Sequence, residues 1–218
     1  MSLSLAVRRV VTAAAVVATS VTGLAMTASP ATAACADVEV VFARGSTELP
    51  GLGIVGTPLV RAIQQNLPGK TVTSYAVNYA ANVSQTSAGP GATDMSNHVK
   101  QVAAQCANTV FVLGGYSQGA SVTDIAIGIR TFLGTGGTIP TNLAPRIKAI
   151  TVFGNPLRLY GQNINTASPL YGSRARDVCA TGDPVCGGGF NALAHLSYPT
   201  NGSVTSAAQF AANLVKAG

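Results

Sequence analysis

The chain contains 218 residues, which is enough for one domain with a sizeable hydrophobic core. Only 9% of the residues are charged, and the formal net charge is +6. The basic residues are scattered and form no basic stripe with interleaved aromatic residues, so the sequence argues against a nucleic-acid partner.

The N-terminal segment, residues 1–34, has the pattern of a secretory signal peptide. Two arginines in the sequence VRRV precede an apolar run to about Met26, and the triplet ATA that follows is an A-x-A cleavage pattern. An uncleaved membrane anchor is the alternative, but the run is a little short and rich in Ala and Thr. We therefore predict cleavage near Ala33 and Ala34, a single domain over residues 35–218, and a secreted protein, either extracellular or associated with the cell envelope.

Strands and helices are predicted to alternate along this domain. The residue patterns indicate strands at 38–44, 71–79, 108–115, 147–156 and 173–180, and helices at 57–67, 91–106, 119–133 and 206–217. Thr93 or Asp94 is expected to cap the second helix, and the stretches 134–142 and 161–173 are expected to be surface loops. Such alternation predicts a parallel sheet with helices on both faces.

All four cysteines lie after the signal segment, at Cys35, Cys106, Cys179 and Cys186. An even number of cysteines in a secreted chain is typical of two disulfides, for which three pairings are possible. Cys179 and Cys186 are close in sequence with a glycine and a proline between them, so a local bridge is the natural choice and leaves Cys35 with Cys106. The spacing fits no zinc pattern, and no metal is expected.

The stretch Gly115-Tyr116-Ser117-Gln118-Gly119 matches the pattern G-x-S-x-G, with an apolar strand before it and a helical pattern after it. This is the context of a nucleophile elbow, a sharp turn that needs small residues two positions before and two positions after the serine. Ser117 would then project from the carboxyl end of the strand, where the helix N-terminus stabilises developing negative charge. A plain tight turn is the alternative.

A serine nucleophile needs a general base, and the chain contains two histidines, His98 and His195. His98 lies in the middle of a predicted helix and is expected to be an ordinary helix residue. Only His195 follows Ser117, as the order serine, acid, histidine of the α/β-hydrolases requires. A histidine packed near a helix end is the alternative for His195.

The acid of such a triad must lie between the serine and the histidine, where the chain has three aspartates. Asp124 belongs to the helix after the elbow and is expected to be structural. Asp183 lies between the paired cysteines, where a short disulfide loop can orient a carboxylate, and it is the preferred acid. Asp177 is the fallback. The acid would hold the imidazole in the correct tautomer and stabilise the imidazolium.

An oxyanion hole needs two donors that point at one position. Gln118, the residue after the nucleophile, would supply a backbone N–H. Ser46 follows the first strand in the sequence RGSTE and would supply a backbone N–H, a hydroxyl or both, with a loop-capping role as the alternative. The apolar residues Phe190, Leu193 and Leu196 are candidates to line an acyl groove, and ordinary core packing is their alternative.

At these residues the sequence resembles the cutinase family of serine esterases. The resemblance runs from Cys35 to the last helix, and it is carried by VVFARGSTE, GGYSQGA, CATGDPVC and AHLSYP in the family's order. It implies a compact α/β-hydrolase with a central five-stranded parallel sheet, helices on both faces and no large lid. It also implies the triad Ser117–Asp183–His195, the oxyanion residues Ser46 and Gln118, and the bridges Cys35–Cys106 and Cys179–Cys186.

This resemblance implies a secreted hydrolase of acyl esters of short or medium chain, without a cofactor or a metal. The expected partner is an acyl-ester or lipid substrate, with peripheral contact at a lipid interface, and the chain is expected to be a monomer. The family includes cutinases, short-chain esterases, lipases and phospholipases. Two alternatives stay open: an acetylesterase of the acetylxylan type, and a secreted surface or binding protein that keeps the fold without the chemistry.

Overall fold

The structure is a computed structural model, and it describes residues 35–218. The predicted signal peptide at residues 1–34 lies outside the described residues. Five parallel strands form one sheet in the order β2-β1-β3-β4-β5. The strands are β1 (Val38–Ala43), β2 (Val72–Ala76), β3 (Val110–Tyr116), β4 (Ile147–Phe153) and β5 (Ala175–Val178). The predicted five-stranded parallel sheet is confirmed.

Helices cover both faces of this sheet. They are α1 (Gly53–Asn66), α2 (Ala88–Gln105), α3 (Gln118–Ala126), α4 (Ile164–Ala167), α5 (Ala192–Leu196) and α6 (Ser203–Lys216). Three 3-10 helices occupy Thr141–Arg146, Pro156–Tyr160 and Gly172–Arg174. Among the described residues, none of the helices combines the length and apolar character needed to cross a membrane.

The alternation of side chains along the strands divides the hydrophobic core into two layers. Val41 faces α2 and α3, and its neighbour Phe42 faces α1 and α6. All six residues of β1 are buried, as expected for a strand that is covered on both faces. The sheet is therefore packed on both faces, and the loops at the carboxyl ends of its strands contain the candidate site.

Helices α1, α2 and α6 begin three or four residues before their predicted starts, and α3 ends seven residues before its predicted end. Helix α2 begins at Ala88, so neither Thr93 nor Asp94 is its cap. The Asp94 carboxylate instead accepts hydrogen bonds from the Tyr75 hydroxyl at 3.0 Å and from a backbone N–H. Helix α3 ends at Ala126 rather than near residue 133, because Gly128 adopts a left-handed conformation with φ +88° that stops the helix.

The predicted loop at 161–173 is also more ordered than its composition suggested. It contains α4, which begins where the side chain of Asn163 accepts a hydrogen bond from the backbone N–H of Thr166 at 3.2 Å. Asparagine favours both loops and helix caps, because its side chain can replace a missing backbone partner. Composition alone therefore could not separate a short capped helix from an irregular loop.

Candidate active site

Ser117 lies at the junction of β3 and α3 in a backbone conformation that non-glycine residues rarely adopt. Its φ is 55° and its ψ is −119°, and its backbone N–H donates to the carbonyl of Phe153 in β4 at 2.8 Å. Such strain persists only where the surrounding structure holds it, and it concentrates at functional positions. The neighbouring strand therefore holds the elbow that presents Ser117.

The glycines on either side of the elbow have a steric reason. A Cβ on Gly115 would lie 2.0 Å from the carbonyl oxygen of Gly119, and a Cβ on Gly119 would lie 1.9 Å from the carbonyl oxygen of Ala43. Both distances are far inside van der Waals contact with backbone atoms that cannot move aside. The glycines at these two positions therefore let α3 pack closely against β3 and the end of β1.

Asp183 and His195 form a hydrogen-bonded pair. His195 lies on α5, and its Nδ1 is 2.8 Å from Oδ2 of Asp183, which is fully buried. The other carboxylate oxygen accepts from the backbone N–H of Val185 at 2.7 Å. The disulfide between Cys179 and Cys186 closes the segment around Asp183. We call residues 179–191 the Asp183 loop.

The imidazole of His195 lies over the carboxyl end of β4, beside the elbow. A Cβ on Gly154 would lie 2.6 Å from Cε1 of His195, and Gly154 directly follows the residue that binds the Ser117 backbone. Tyr116 donates its hydroxyl proton to the carbonyl of His195 at 2.8 Å.

Within residues 35–218, two side chains form hydrogen bonds with His195: Asp183 binds its Nδ1, and Tyr116 binds its backbone carbonyl. Within the same range, Ser117 forms no hydrogen bond with His195. Contacts between nucleophile and base are often long before substrate binds, and they tighten in the substrate complex. The structure therefore places the predicted base and the predicted nucleophile at the same end of the sheet, with no hydrogen bond between them among the described residues.

Ser46 and Gln118, the two predicted oxyanion residues, lie next to each other, and their side chains are in contact. Oγ of Ser46 lies 3.4 Å from Oε1 of Gln118, which is fully buried at the first position of α3. The backbone N–H at this position of a helix has no intrahelical partner and is free to bind an anion. Gln85 also joins this cluster, because its Nε2 lies 3.4 Å from Oγ of Ser46.

The other two candidate acids lie in a separate buried cluster. The side chain of Asn155 donates to Asp124 at 2.9 Å and to Asp177 at 3.0 Å. Burial, and then the charge of Asp177, raises the pKa of Asp124 well above its usual value, and burial also raises the pKa of Asp177. Both carboxyl groups are bound by residues other than His195, and the structure therefore pairs the preferred acid, Asp183, with the histidine.

His98 also lies outside the candidate site. It stacks on the ring of Tyr75 with centroids 3.5 Å apart, and its Nε2 lies 3.1 Å from Glu39. These contacts tie α2 to the edge of the sheet. The expectation that His98 is an ordinary helix residue agrees with this environment, in which it is partly buried.

The side chains of Phe190, Leu193 and Leu196 are exposed, so the alternative that they pack in the core is wrong. Leu193 lines a cavity of about 450 Å³ with Asn191, Ser197 and other residues of α5 and its surroundings. Neither Ser117 nor the oxyanion residues line this cavity. An acyl groove formed by Phe190 and Leu193 stays a prediction.

Cys35 is joined to Cys106, which ties the start of the described chain to the end of α2, and Cys179 is joined to Cys186. Cys179, Asp183 and Cys186 bring potential metal-ligand atoms within 4.8 Å of one another. Both sulfurs are bonded to each other, however, and thiolates are what a metal would require. These cysteines serve the Asp183 loop as a covalent frame.

A parallel sheet whose central strand ends in an elbow serine, beside a paired aspartate and histidine, defines the class of α/β-hydrolases. The family model described as Cutinase matches residues 34–215, and the chain therefore belongs to the cutinase family. A protein named Cutinase from Kineococcus radiotolerans is 58% identical over 187 residues, which cover 85% of this chain. The match spans 64% of the length of that relative.

Two solved structures are similar over most of the chain. A Trichoderma reesei cutinase in complex with a phosphonate inhibitor is 30% identical, with a TM-score of 0.66, over 83% of this chain and 77% of that one. An acetylxylan esterase is 25% identical, with a TM-score of 0.72, over 84% of this chain and all of its own. These structures support the α/β-hydrolase fold.

Sequence reasoning gave no role to three polar residues that the structure brings to the site. Tyr116 and Tyr198 stand inside the motifs GGYSQGA and AHLSYP, but only their neighbours matched a chemical pattern. Gln85 stands in the polar stretch NVSQTS after β2, where no motif marks it. Its contact with Ser46 depends on how the chain turns after β2, and a single sequence carries no signal for that turn.

Proposed function

We propose that this protein is a secreted serine esterase that hydrolyses carboxylic esters of short or medium acyl chain. The observation that carries the proposal is the 2.8 Å hydrogen bond between the buried Asp183 and the partly buried His195, near the strained elbow at Ser117. Membership of the cutinase family supports the same reaction class.

The reaction proceeds through an acyl-enzyme. His195 takes the proton of Ser117 while the serine oxygen attacks the ester carbonyl carbon and a tetrahedral oxyanion forms. Asp183 holds the imidazole and stabilises its positive charge. The alcohol then leaves with the proton from His195, and a water molecule attacks the acyl-enzyme by the same route to release the acid and restore Ser117.

The oxyanion receives hydrogen bonds from the backbone N–H of Gln118 and from Ser46. One donor of this kind is typically worth about 3 to 4 kcal/mol in the transition state. Gln85 Nε2 donates to the Ser46 oxygen at 3.4 Å, and the Ser46 hydroxyl donates to Oε1 of Gln118, so this hydroxyl must turn away from Gln118 to reach the oxyanion. The mechanism uses only groups of the chain and one water molecule.

Secretion is supported by the signal pattern of residues 1–34 and by the two disulfides, which persist in oxidising compartments. The substrate we propose is an acyl ester or a lipid, which the exposed side chains of Phe190 and Leu193 would meet at an interface. We expect the protein to act as a monomer, without a nucleic-acid partner.

A second candidate function is acetylesterase activity on a polysaccharide. The likeness to an acetylxylan esterase, with a TM-score of 0.72, supports this alternative. A third candidate is a surface protein that keeps the fold without catalysis, but the paired Asp183 and His195 argue against it.

Hydrolysis of p-nitrophenyl esters from acetyl to palmitoyl, by wild type and by Ser117→Ala, tests these candidates. We expect an optimum at short or medium chains and no activity in Ser117→Ala. Ser121→Ala is the matched control, because Ser121 is buried in the same helix and its hydroxyl has no hydrogen-bond partner among the described residues. A strong preference for acetyl favours the acetylesterase, and a folded wild type without activity on any ester contradicts the proposal.

A further inference from the structure

Tyr198 touches the candidate triad from inside the protein. It is fully buried, and its hydroxyl oxygen lies 2.5 Å from Oδ2 of Asp183, the oxygen that also accepts from His195. Tyr198 follows His195 by three positions, in the turn after α5, and the centroids of the two rings are 6.2 Å apart.

The direction of this hydrogen bond follows from the partners of the phenol. The backbone N–H of Ala180 donates to the Tyr198 oxygen at 3.1 Å, so the phenol proton must point elsewhere. Its two neighbours are the Asp183 carboxylate at 2.5 Å and the disulfide sulfur of Cys186 at 3.4 Å. A carboxylate is by far the stronger acceptor, and the phenol therefore donates to Asp183.

The side chain of Asp183 is thus held by three donors: the backbone N–H of Val185, the imidazole of His195 and the phenol of Tyr198. Burial, and then the hydrogen bond to Asp183, raises the pKa of Tyr198 far above its usual value, so the phenol keeps its proton at any pH at which an esterase is assayed. Tyr198 is a permanent donor to the carboxylate.

We propose that Tyr198 is a positioning residue for catalysis, which keeps Asp183 ionised and aimed at His195 and thereby sets the pH range in which His195 acts as a base. This inference rests on the proposed function. A donor on the carboxylate stabilises its negative charge, so the imidazolium of His195 receives less stabilisation from it. Without the phenol, the imidazole would hold its proton to higher pH.

The titratable groups that face the phenol are few. Asp183 belongs to the Asp183 loop, His195 to α5, and Tyr116 to β3, with its ring centroid 5.9 Å from that of Tyr198. The ring of Phe153 in β4 closes the remaining side at 5.7 Å. Burial raises the pKa of Tyr116 as well, so the phenol of Tyr116 keeps its proton and brings no charge to this set.

The first test is the variant Tyr198→Phe, which removes the hydroxyl and keeps the ring. A hydrogen bond to a charged group of this kind corresponds to about a tenfold effect, so we expect kcat to fall about tenfold. KM should change little because the buried Tyr198 cannot contact the substrate. The acid limb of the kcat/KM profile should move to higher pH. If Tyr198 had only a structural role, the variant would lose thermal stability while the acid limb stayed in place.

Tyr171→Phe is the matched control. Tyr171 is equally buried, and its hydroxyl has no hydrogen-bond partner among the described residues. Its removal should leave kcat and the pH profile of the wild type unchanged.

A second variant keeps the test decisive if Tyr198→Phe does not fold. A ring-fluorinated tyrosine at position 198 has nearly the same shape and a more acidic phenol, which is a stronger donor. The acid limb should then move to lower pH, opposite to its movement in Tyr198→Phe. An unchanged acid limb in every folded variant of Tyr198 would overturn the proposal.

The low-field proton NMR signal of His195 Nδ1–H gives a readout that does not depend on activity. We expect this signal to shift in the variants of Tyr198 and to stay in place in Tyr171→Phe. If the wild type hydrolyses no ester, the proposed function fails while this signal still tests the contact. If the wild type is active but neither the signal nor the pH profile responds, the role of Tyr198 is refuted.

Discussion

Removing the two disulfides one at a time should have opposite effects. One removal should mainly lower stability, and the other should mainly lower activity. Cys35–Cys106 joins residues 71 positions apart, from the start of the described chain to the end of α2, whereas Cys179–Cys186 joins residues 7 positions apart around Asp183. The perturbation is a pair of double variants, Cys35→Ser with Cys106→Ser, and Cys179→Ser with Cys186→Ser. Each variant serves as the control for the other.

The expected losses of stability follow from loop closure. A cross-link limits the unfolded chain more when its loop is longer, and the chain-entropy relation gives about 4.4 kcal/mol for the separation of 71 and about 2.4 kcal/mol for the separation of 7. The long bridge should therefore contribute more to the free energy of unfolding, by about 2 kcal/mol.

The expected losses of activity run the other way. The carboxylate of Asp183 is bound within its own loop by the backbone of Val185, and the disulfide frames that loop. A displacement of about 1 Å at a catalytic group can cost about a hundredfold in rate. Opening Cys179–Cys186 should thus lower kcat about 10- to 100-fold, whereas opening Cys35–Cys106 should leave kcat per folded molecule near that of the wild type.

The assay combines urea unfolding with kcat on a p-nitrophenyl ester, corrected for the folded fraction measured by circular dichroism. The reasoning is refuted if the variant without Cys179–Cys186 loses the most stability while its folded molecules keep normal activity. It is also refuted if both variants lose the same activity per folded molecule, because the loop around Asp183 would then have no special role.

Four further variants make three predictions about other parts of the structure. Gly119→Ala should cost at least about 3 kcal/mol of unfolding free energy by urea titration, because its Cβ would lie 1.9 Å from a backbone oxygen. Gly128→Ala, with open space around its left-handed backbone, should cost about 1 kcal/mol. Ser46→Ala should lower kcat about a hundredfold with little change in thermal stability. Asp124→Asn should gain stability relative to the wild type as pH rises, measured as the difference in Tm between pH 5 and pH 8.

The sign of the last prediction follows from the raised pKa of Asp124, which burial and the charge of Asp177 produce. The folded protein keeps a proton that the unfolded chain releases, so this carboxyl group favours folding below its unfolded pKa. That contribution is lost as pH rises toward the folded pKa. The variant carries no such proton, and a Tm difference that does not change with pH would contradict the argument.

Each of the other two predictions has its own contradicting result. Equal costs of Gly119→Ala and Gly128→Ala would mean that the close approach at the elbow is not required. A normal kcat in Ser46→Ala would mean that the Ser46 hydroxyl is not a donor to the oxyanion, and that Ser46 contributes only its backbone N–H.

The sequence predicted those parts of the site that local chemistry encodes. The elbow requires glycines around Ser117, and the order of serine, acid and histidine selects His195, so both follow from a short motif and chain order. Asp183 was preferred over Asp177 because of the neighbouring cysteines, and the structure pairs it with His195 at 2.8 Å. The catalytic roles of these residues stay predictions.

Features that depend on tertiary placement were not predictable. The contact of Gln85 with Ser46 and the contact of Tyr198 with Asp183 each join segments whose relative position is set by the sheet. Helix α3 was predicted too long because the apolar pattern continues past Gly128, where the left-handed backbone ends the helix. Periodicity reports which residues are apolar and does not report where the chain turns.

The central claim is that the folded protein activates Ser117 as a nucleophile, and covalent labelling tests it most directly. The native protein is incubated with an alkyl phosphonate ester, and the modified peptide is identified by mass spectrometry, with Ser117→Ala and urea-unfolded protein as controls. We predict one adduct, on Ser117, in the native protein and none in either control. A folded, disulfide-bonded protein that stays unlabelled, or that carries its adduct on another residue, would contradict the claim.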